Sequence, residues 1–300
     1  MLAGMSVAPL IDPDELQAEI AALDEGRAFV ERTDLEISLV SGRDARVFLG
    51  DLVTADVASL EPHAARPSLL LTPTGRIRAA FHLLGLADGG FALAQGRDQP
   101  ERVSGALEPY VLSSDVAIGS SRLRLFSIPG RDEPPPWAGR GWRPGLAGTG
   151  VDLLVAGTDD GLQDVRGRLA IEGLDPARPE ALEVRRIRRG EPRFPVDLGP
   201  DALPAEAGWE DRIDLAKGCF LGQEAVAKVR NLGHPPHVVL ALRSDGEARP
   251  GEEVLAEGEP VGRVTSAASS GDGWAILARV RHGATQRTLS TASGRRLSKV

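Results

Sequence analysis

A chain of 300 residues, 42% of them hydrophobic, is long enough for two domains or three small ones with real cores. Its formal net charge of −8 argues against a protein that binds nucleic acid over its whole surface. One cysteine excludes an internal disulfide and a cysteine-based metal cluster. We expect an enzyme or binding protein of the cytoplasm.

Neither export nor membrane insertion is expected from the sequence. The first nine residues, Met1 to Pro9, lack a basic region followed by a long apolar run, and no stretch of 18 consecutive apolar residues occurs.

The N-terminal third mixes helix and strand signals. Asp12 followed by Pro13 and Glu15 predicts a helix start, with Asp12 as the N-cap. Thr72–Gly75 has the proline and glycine of a hairpin turn between two apolar runs. The other predicted elements of this part are strands at 36–40, 68–71, 76–84, 91–94, 116–118 and 123–128, and helices at 44–53 and about 101–112.

In the remainder of the chain the sequence pattern changes twice, at residue 129 and at His237. Residues 129–150 are rich in glycine and proline and predict an exposed linker or lid. A strand at 151–155 and helices at 161–170 and 179–189 follow, the last with a basic outer face. From His237 onward, short strands at regular spacing predict a small β-barrel. The tail from Thr285 has few apolar residues and is expected to fray.

These patterns predict three units: an N-terminal α+β half (1–136), a second α+β half (137–236), and a C-terminal barrel with its tail (237–300). The fold class is therefore α+β, with two similar halves forming one body and a small barrel closing it.

The segment Lys217-Gly-Cys-Phe-Leu-Gly-Gln-Glu224 contains scarce residue types. Cys219 is the single cysteine, and Lys217 is one of only three lysines among 35 basic residues. An ammonium beside a sulfhydryl, near a helix N-terminus, favours the thiolate. The functional interpretation is a reactive site; the alternative is a small core cysteine next to a surface charge.

This segment resembles the Lys-Gly-Cys-Tyr-x-Gly-Gln-Glu signature of the YgfZ-type folate-binding proteins, relatives of the aminomethyltransferases such as the T-protein of the glycine cleavage system. Phe220 stands where the signature has tyrosine. Other family-like stretches are 186–192, 203–208 and the hairpin at 71–76, and the resemblance spans about residues 33 to 282. It implies an aminomethyltransferase (GcvT/YgfZ)-like folate-binding body.

The resemblance implies tetrahydrofolate, or a derivative, as the cofactor, bound in a central cleft that Lys217 and Cys219 face. Glu206 lies in a Glu-Ala-Gly stretch by which aminomethyltransferases hold the pterin, and one carboxylate suits the paired N–H donors of that ring. Arg185 is a candidate for the anionic glutamyl tail. The other implied binding residues are Lys217, Gly218, Gln223 and Glu224, and the implied catalytic pair is Cys219 with Lys217.

The implied role is an accessory factor for assembling or repairing iron-sulfur proteins, which supports tRNA-modifying enzymes. Its expected partners are folate and iron-sulfur client or assembly proteins, without direct nucleic-acid binding. A folate-dependent aminomethyltransferase is the first alternative, although its aspartate is not matched by Asp51 or Asp56. The second is an RNA-associated or protein-binding module that uses the arginine helix. His234 and His237 are separated by two prolines and predict a connector, so no metal site is expected.

Overall fold

The computed structural model describes residues 12–138, 145–269 and 273–300. The expectation for Met1–Pro9 and the middle of the predicted linker, residues 139–144, lie outside these ranges. Within them, no helix is both long and apolar enough to cross a membrane.

Among the described residues, helices and strands are mixed from Pro13 to Leu232, and strands dominate after that. The helices among the described residues are α1 (Pro13–Asp24), α2 (Ala45–Leu52), α3 (Val103–Leu107), α4 (Asp159–Ile171), α5 (Pro179–Arg188) and α6 (Gln223–Leu232). The strands are β1 (Ala28–Glu31), β2 (Leu35–Ser41), β3 (Ala65–Leu71), β4 (Ile77–Gly85), β5 (Phe91–Gly96), β6 (Ala117–Ser120), β7 (Leu123–Ile128), β8 (Val151–Ala156), β9 (Asp175–Pro176), β10 (His237–Ser244), β11 (Glu253–Ala256), β12 (Glu259–Ser269), β13 (Trp274–Arg281), β14 (Leu289–Thr291) and β15 (Arg296–Lys299).

Local sequence signals set several of these boundaries. The predicted N-cap is confirmed, because the Asp12 carboxylate accepts a hydrogen bond of 2.9 Å from the backbone N–H of Asp14. The predicted helix at 101–112 is too long. It is α-helical only over Val103–Leu107 and continues as one 3-10 turn, because Pro109 cannot donate an intrahelical hydrogen bond.

A five-stranded antiparallel sheet carries the N-terminal core, with strand order β3-β4-β5-β2-β6. The predicted hairpin turn joins β3 to β4, with the Gly75 N–H donating to the Thr72 carbonyl at 2.9 Å. Helices α2 and α3 supply Phe48, Leu49 and Leu107 to the apolar cluster on one face of this sheet. The sheet's other face is therefore free to border a second layer.

A four-stranded sheet with order β8-β7-β1-β9 combines both predicted halves. Strands β1 and β7 precede residue 136 and strands β8 and β9 follow residue 137, yet β7 pairs with β8 and β1 pairs with β9. The predicted boundary thus runs through a hydrogen-bonded sheet. Strand β1 had no predicted counterpart, because four residues give too short a pattern to detect.

The C-terminal part is a closed six-stranded barrel with order β10-β13-β12-β11-β14-β15. The expectation of a fraying tail is wrong. Residues after Thr285 contribute β14 and β15, and Leu289 and Leu297 are buried in the barrel. A strand of three or four residues with one inward apolar side chain suffices, because closure pairs both of its edges.

The expected basic outer face of α5 is also wrong. Arg185 is only 3% exposed, and the Arg186 guanidinium bonds Asp197, a buried carboxylate. Arg188 donates to the Ser269 carbonyl of β12. These three arginines therefore join α5 to its neighbours.

Candidate functional site

A central cavity of about 530 Å³ opens between the five-stranded sheet and α5. Strands β4 and β5 form one wall, α5 and residues 191–194 form another, and the loop with Leu146 and Ala147 borders a third side. Its lining is rich in arginine: Arg32, Arg97, Arg185, Arg186, Arg193 and Arg212. So many cations around one cavity predict an anionic ligand unless carboxylates neutralise them.

Four of these arginines have carboxylate partners. The ion pairs are Arg32–Asp34 at 2.8 Å, Arg185–Asp24 at 2.7 Å, Arg186–Asp197 at 2.7 Å, and Arg193–Asp98. Arg97 lies exposed at the rim, where its Nε donates to the Thr33 carbonyl at 3.1 Å. Most of the positive charge of the lining is therefore compensated within the protein.

Arg212 differs from the other arginines of the lining. Its guanidinium carbon lies 3.9 Å from the ring centroid of Trp209, and its buried Nε has no hydrogen-bond partner among the described residues. No described carboxylate oxygen lies within 4 Å of it. Burial lowers the pKa of Arg212 to about 10, so the group remains a cation at neutral pH. Among the described residues of the lining, Arg97 and Arg212 thus lack a carboxylate partner, and of these two Arg212 is the one withdrawn from solvent.

The local fold presents Trp209 and Arg212 to the same space. One 3-10 turn separates them, with the Arg212 N–H donating to the Trp209 carbonyl at 3.2 Å. The Arg212 carbonyl in turn accepts a hydrogen bond of 2.6 Å from the Thr54 hydroxyl. This turn fixes the backbone, and the three-residue spacing places both side chains on one side.

His82 of β4 also lines the cavity and is half-buried. Burial, and then the charges of Arg212 and Arg32, lower its pKa to about 3. The imidazole is therefore neutral at physiological pH, and offers one donor and one acceptor nitrogen.

The predicted signature forms an exposed loop that leads into α6. Cys219 is exposed, whereas the next residue, Phe220, is buried. Gly222 has φ +85° at the N-cap position of α6, and a Cβ there would meet the Thr72 carbonyl oxygen at 2.5 Å. The loop therefore rests on the β3–β4 hairpin through a contact that only glycine permits.

Lys217 points away from the central cavity. Its ammonium donates to the Gly50 carbonyl at the end of α2 and lies 5.3 Å from the centroid of the Phe220 ring. Burial lowers the pKa of Lys217, and the nearby carboxylates Asp51, Asp56 and Asp214 oppose that shift. Lys217 is thus held between α2 and the signature loop, two residues from the exposed thiol.

Glu206 occupies the seam between body and barrel. It is 2% exposed, and its Oε2 accepts a 2.7 Å hydrogen bond from Nε of Arg279 on β13. Its Oε1 accepts one of 3.2 Å from the backbone N–H of Leu203. Both carboxylate oxygens are engaged within the protein.

The predicted site residues therefore fall in three places. Arg185 lines the central cavity, Glu206 lies at the seam, and the remaining five belong to the signature loop and the first turn of α6. Those five are Lys217, Gly218, Cys219, Gln223 and Glu224. Among the described residues, none of these five lines the central cavity.

Sequence reasoning missed Trp209, Arg212 and His82. The one available signal was Trp209-x-x-Arg212 directly after the Glu-Ala-Gly stretch, because a tryptophan and an arginine three residues apart in a tight turn can stack. Four of the six arginines of the lining pair with carboxylates, and this pairing is a tertiary property that no local pattern reveals.

A packed layer connects the signature loop to the cavity. Phe220 belongs to the same apolar cluster as Phe194, Ala80 and Trp209, and these three residues also line the cavity. The exposed thiol is thus one residue from a side chain that packs behind the cavity wall.

A second, smaller cavity of about 340 Å³ lies beside α6. Apolar side chains, including Leu215, Val226 and Val229, form most of its lining, with His234 at one end. The His234 ring stacks on His282 with centroids 3.9 Å apart. Across the described ranges, no three His, Cys, Asp or Glu side chains converge so as to hold a metal ion.

Comparison with solved structures decides the fold. The glycine cleavage system aminomethyltransferase T from Bartonella henselae superposes with a TM-score of 0.81 over 97% of this chain and 90% of that one, at 19% identity. The chain has the aminomethyltransferase fold. The predicted fold class, including the C-terminal barrel, is confirmed.

Sequence relatives carry related names. A Streptomyces coelicolor aminomethyltransferase is 25% identical over 77% of this chain and 71% of its own length. A chloroplastic Arabidopsis thaliana protein, whose name as a transferase is provisional, is 24% identical over 82% of this chain, which spans 62% of that relative. An aminomethyltransferase of Moorella thermoacetica is 40% identical over 31% of this chain and 26% of its own length. No family model matches the sequence.

Proposed function

We propose that this protein binds a tetrahydrofolate in its central cavity and acts in the cytoplasm as an accessory factor for the assembly or repair of iron-sulfur proteins, with Cys219 as the working thiol. One observation carries the folate part: a cavity of about 530 Å³, in an aminomethyltransferase fold, retains an unpaired guanidinium stacked on an indole. That volume lies within the usual range of small-molecule sites, about 300–1,000 Å³.

The residues of the cavity suit a reduced folate. Such a ligand combines a flat ring bearing several N–H groups with an anionic glutamyl tail, so it needs both hydrogen-bonding groups and a cation. His82 supplies a neutral imidazole and Arg212 supplies the cation. Arg185 contributes to the same wall while bonded to Asp24. A bound tetrahydrofolate would bring one-carbon carrier chemistry to this cavity.

Glu206 is the proposed acceptor for the pterin N–H groups, on condition that it releases its present hydrogen bonds. Its carboxylate already accepts hydrogen bonds from Arg279 and from the Leu203 backbone. Binding of the pterin at Glu206 would therefore replace these bonds with bonds to the ligand. A carboxylate that keeps its present partners has little capacity to accept the paired hydrogen bonds of the pterin as well.

The thiol supports the accessory role. Cys219 is exposed on a loop, so another protein can reach its sulfur, and the chain has no second cysteine to close a disulfide with it. Lys217 places a partly desolvated ammonium near the same loop. A single thiol does not hold a cluster alone, so the proposed work is done on iron-sulfur client or assembly proteins, and tRNA-modifying enzymes benefit through them.

Two measurements test this proposal together. Calorimetry with tetrahydrofolate should show binding to the purified protein. A strain whose sole copy carries Cys219→Ser should lose activity of iron-sulfur enzymes, because a hydroxyl cannot replace the sulfur as a nucleophile or metal ligand. As a control, Cys219→Ser should unfold at the same temperature as the wild type, since the side chain is exposed. Normal iron-sulfur enzyme activity in that strain would contradict the role of the thiol.

A folate-dependent aminomethyltransferase is the second candidate, and the names of the Streptomyces and Moorella relatives favour it. The discriminating assay supplies an aminomethyl group on a carrier and measures methylene-tetrahydrofolate. Turnover that survives Cys219→Ser would favour the transferase. Folate binding without turnover would favour the accessory factor.

A further inference from the structure

We infer that Arg212, whose guanidinium carbon lies over the Trp209 ring, is the anion-binding group of the central cavity and that it takes a carboxylate of the bound ligand. For the folate proposed above, on which this assignment of the ligand rests, the carboxylate is that of the glutamyl tail. Arg185, the candidate from sequence, is not the group that receives this charge.

The first support is the difference in pairing among the lining arginines. Arg185 donates to Asp24, to the Thr149 hydroxyl and to the Ala147 carbonyl, so its guanidinium is already satisfied. Arg186 and Arg193 likewise bond carboxylates. Arg193 Nε is also buried without a hydrogen-bond partner, but the Arg193 guanidinium pairs with Asp98. Among the described arginines of the lining, Arg212 alone combines such an Nε with the lack of a carboxylate partner, so a ligand anion can bind its guanidinium without breaking an internal ion pair.

The second support is the cost of leaving Arg212 as it is. A buried cation without an anion is unfavourable, and the nearest acidic groups, Asp211 and Glu191, raise its pKa less than burial lowers it. The Trp209 face, 3.9 Å away, compensates part of this cost through a cation–π contact. A half-buried, unpaired cation that persists in a cavity is typical of a binding site, because binding supplies the missing partner.

The third support is geometric. A guanidinium carbon 3.9 Å from the Trp209 ring centroid fits the stacking that arginine makes on aromatic rings, in which the ring occupies a face of the guanidinium and not its N–H edge. A carboxylate approaches a guanidinium along that edge and accepts two parallel hydrogen bonds. Trp209 is 5% exposed and fixed in an apolar cluster, so its contact with Arg212 helps to position the guanidinium before the ligand arrives.

The test compares ligands that differ only in charge. Tetrahydrofolate and its uncharged α,γ-diamide are titrated by calorimetry into the wild type, Arg212→Met and Arg97→Met. A lost charged hydrogen bond weakens binding about 10- to 100-fold. We expect the wild type to prefer tetrahydrofolate by that factor and Arg212→Met to bind both ligands equally. Arg97→Met, which removes an exposed cation at the rim of the same cavity, should keep the preference.

The unfolding temperature of Arg212→Met distinguishes a binding role from a structural role. Loss of a structural residue would lower it, whereas loss of a binding residue would leave it unchanged or raise it. Because Arg212 has no ion pair, Arg212→Met should unfold at the same temperature as the wild type or higher. A clear fall in the unfolding temperature would make Arg212 a structural residue and overturn the inference. An unchanged preference for tetrahydrofolate in Arg212→Met would overturn it as well, while leaving folate binding intact.

If the protein binds no folate, an outcome that removes the proposed function, p-aminobenzoylglutamate takes its place as the probe. This compound carries the two carboxylates without the pterin. Its titration should shift the ¹⁵N resonance of Arg212 Nε, identified by its loss in Arg212→Met. The absence of any shift at millimolar ligand would overturn the assignment of Arg212 as an anion site.

Discussion

Asp152 on β8 is a buried carboxyl group whose ionisation the fold opposes. It is 1% exposed, and it accepts hydrogen bonds of 2.5 Å from the Ser127 hydroxyl and from the Leu146 backbone N–H. Burial raises the pKa of Asp152 from 3.8 to about 6, because these two bonds and the charge of Arg32 only partly compensate desolvation. Leu146 borders the central cavity, so this carboxyl anchors one of its walls.

The raised pKa predicts a specific dependence of stability on pH. Between about pH 4 and pH 6 the folded state binds more protons at Asp152 than the unfolded state does, so the free energy of unfolding falls as the pH rises. A shift of this size corresponds to about 3 kcal/mol. Urea unfolding from pH 4 to pH 7 should therefore show that the wild type loses about that much stability relative to Asp152→Asn.

A second variant identifies the group. The Ser127 hydroxyl donates to the ionised carboxylate and lowers its pKa, so Ser127→Ala should move the same loss of stability to higher pH. Parallel stability profiles for the wild type and Asp152→Asn would show that Asp152 does not titrate in this range, and would contradict the prediction.

At the scale of single elements, the sequence predicted those whose signals are local. The N-cap at Asp12 and the turn at Thr72–Gly75 follow from residue types that act within four positions. The burial of the α5 arginines was not predicted, because their partners lie outside the helix. Asp24 is at the end of α1, and Asp197 is in the segment after α5. Helical periodicity shows which residues share a face, but it does not show which residues cover that face.

In the candidate site, too, the sequence predicted the features with local signals and not those formed by distant segments. The signature loop was detected because its scarce residues are adjacent in sequence, and the structure keeps them on one loop. The central cavity was not attributed to the residues that line it, because β4, α5 and the Trp209 turn meet only in the fold. Arg212 is distinguished from its neighbours by a missing partner, which no sequence pattern displays.

The signature loop contains two glycines that allow a matched test. Both have positive φ, +110° at Gly218 and +85° at Gly222, so alanine is strained at either position. A Cβ at Gly218 would meet nothing within 4 Å, whereas a Cβ at Gly222 would meet the Thr72 carbonyl oxygen at 2.5 Å. Gly218→Ala should therefore cost about 1–2 kcal/mol, and Gly222→Ala clearly more.

Urea unfolding of the two alanine variants measures this difference. The contact with Thr72 also predicts that Gly222→Ala displaces α6 from the hairpin, which would alter protease sensitivity around Gln223. Equal losses of stability for the two variants would mean that the loop does not rest closely on the hairpin.

At the scale of the whole molecule, buried polar contacts fasten the barrel to the body. Asp197 accepts four hydrogen bonds: from Arg186 on α5, from the Arg193 backbone, and from Thr265 and Ser266 on β12. The Glu206–Arg279 pair crosses the same seam. Such satisfied networks specify one arrangement of the joined parts, because any displacement leaves charges buried without partners.

Asp197→Ala tests whether this network holds the barrel in place. The carboxylate is buried and its removal leaves Arg186, Thr265 and Ser266 short of an acceptor, so we expect a loss of about 3–5 kcal/mol in the free energy of unfolding. Asp98→Ala is the matched control, because it also removes an aspartate paired with an arginine but at an exposed site, which is worth about 0–1 kcal/mol. If the two variants unfold at the same urea concentration, the seam depends on apolar packing instead, and Arg186 must find a new acceptor when Asp197 is lost.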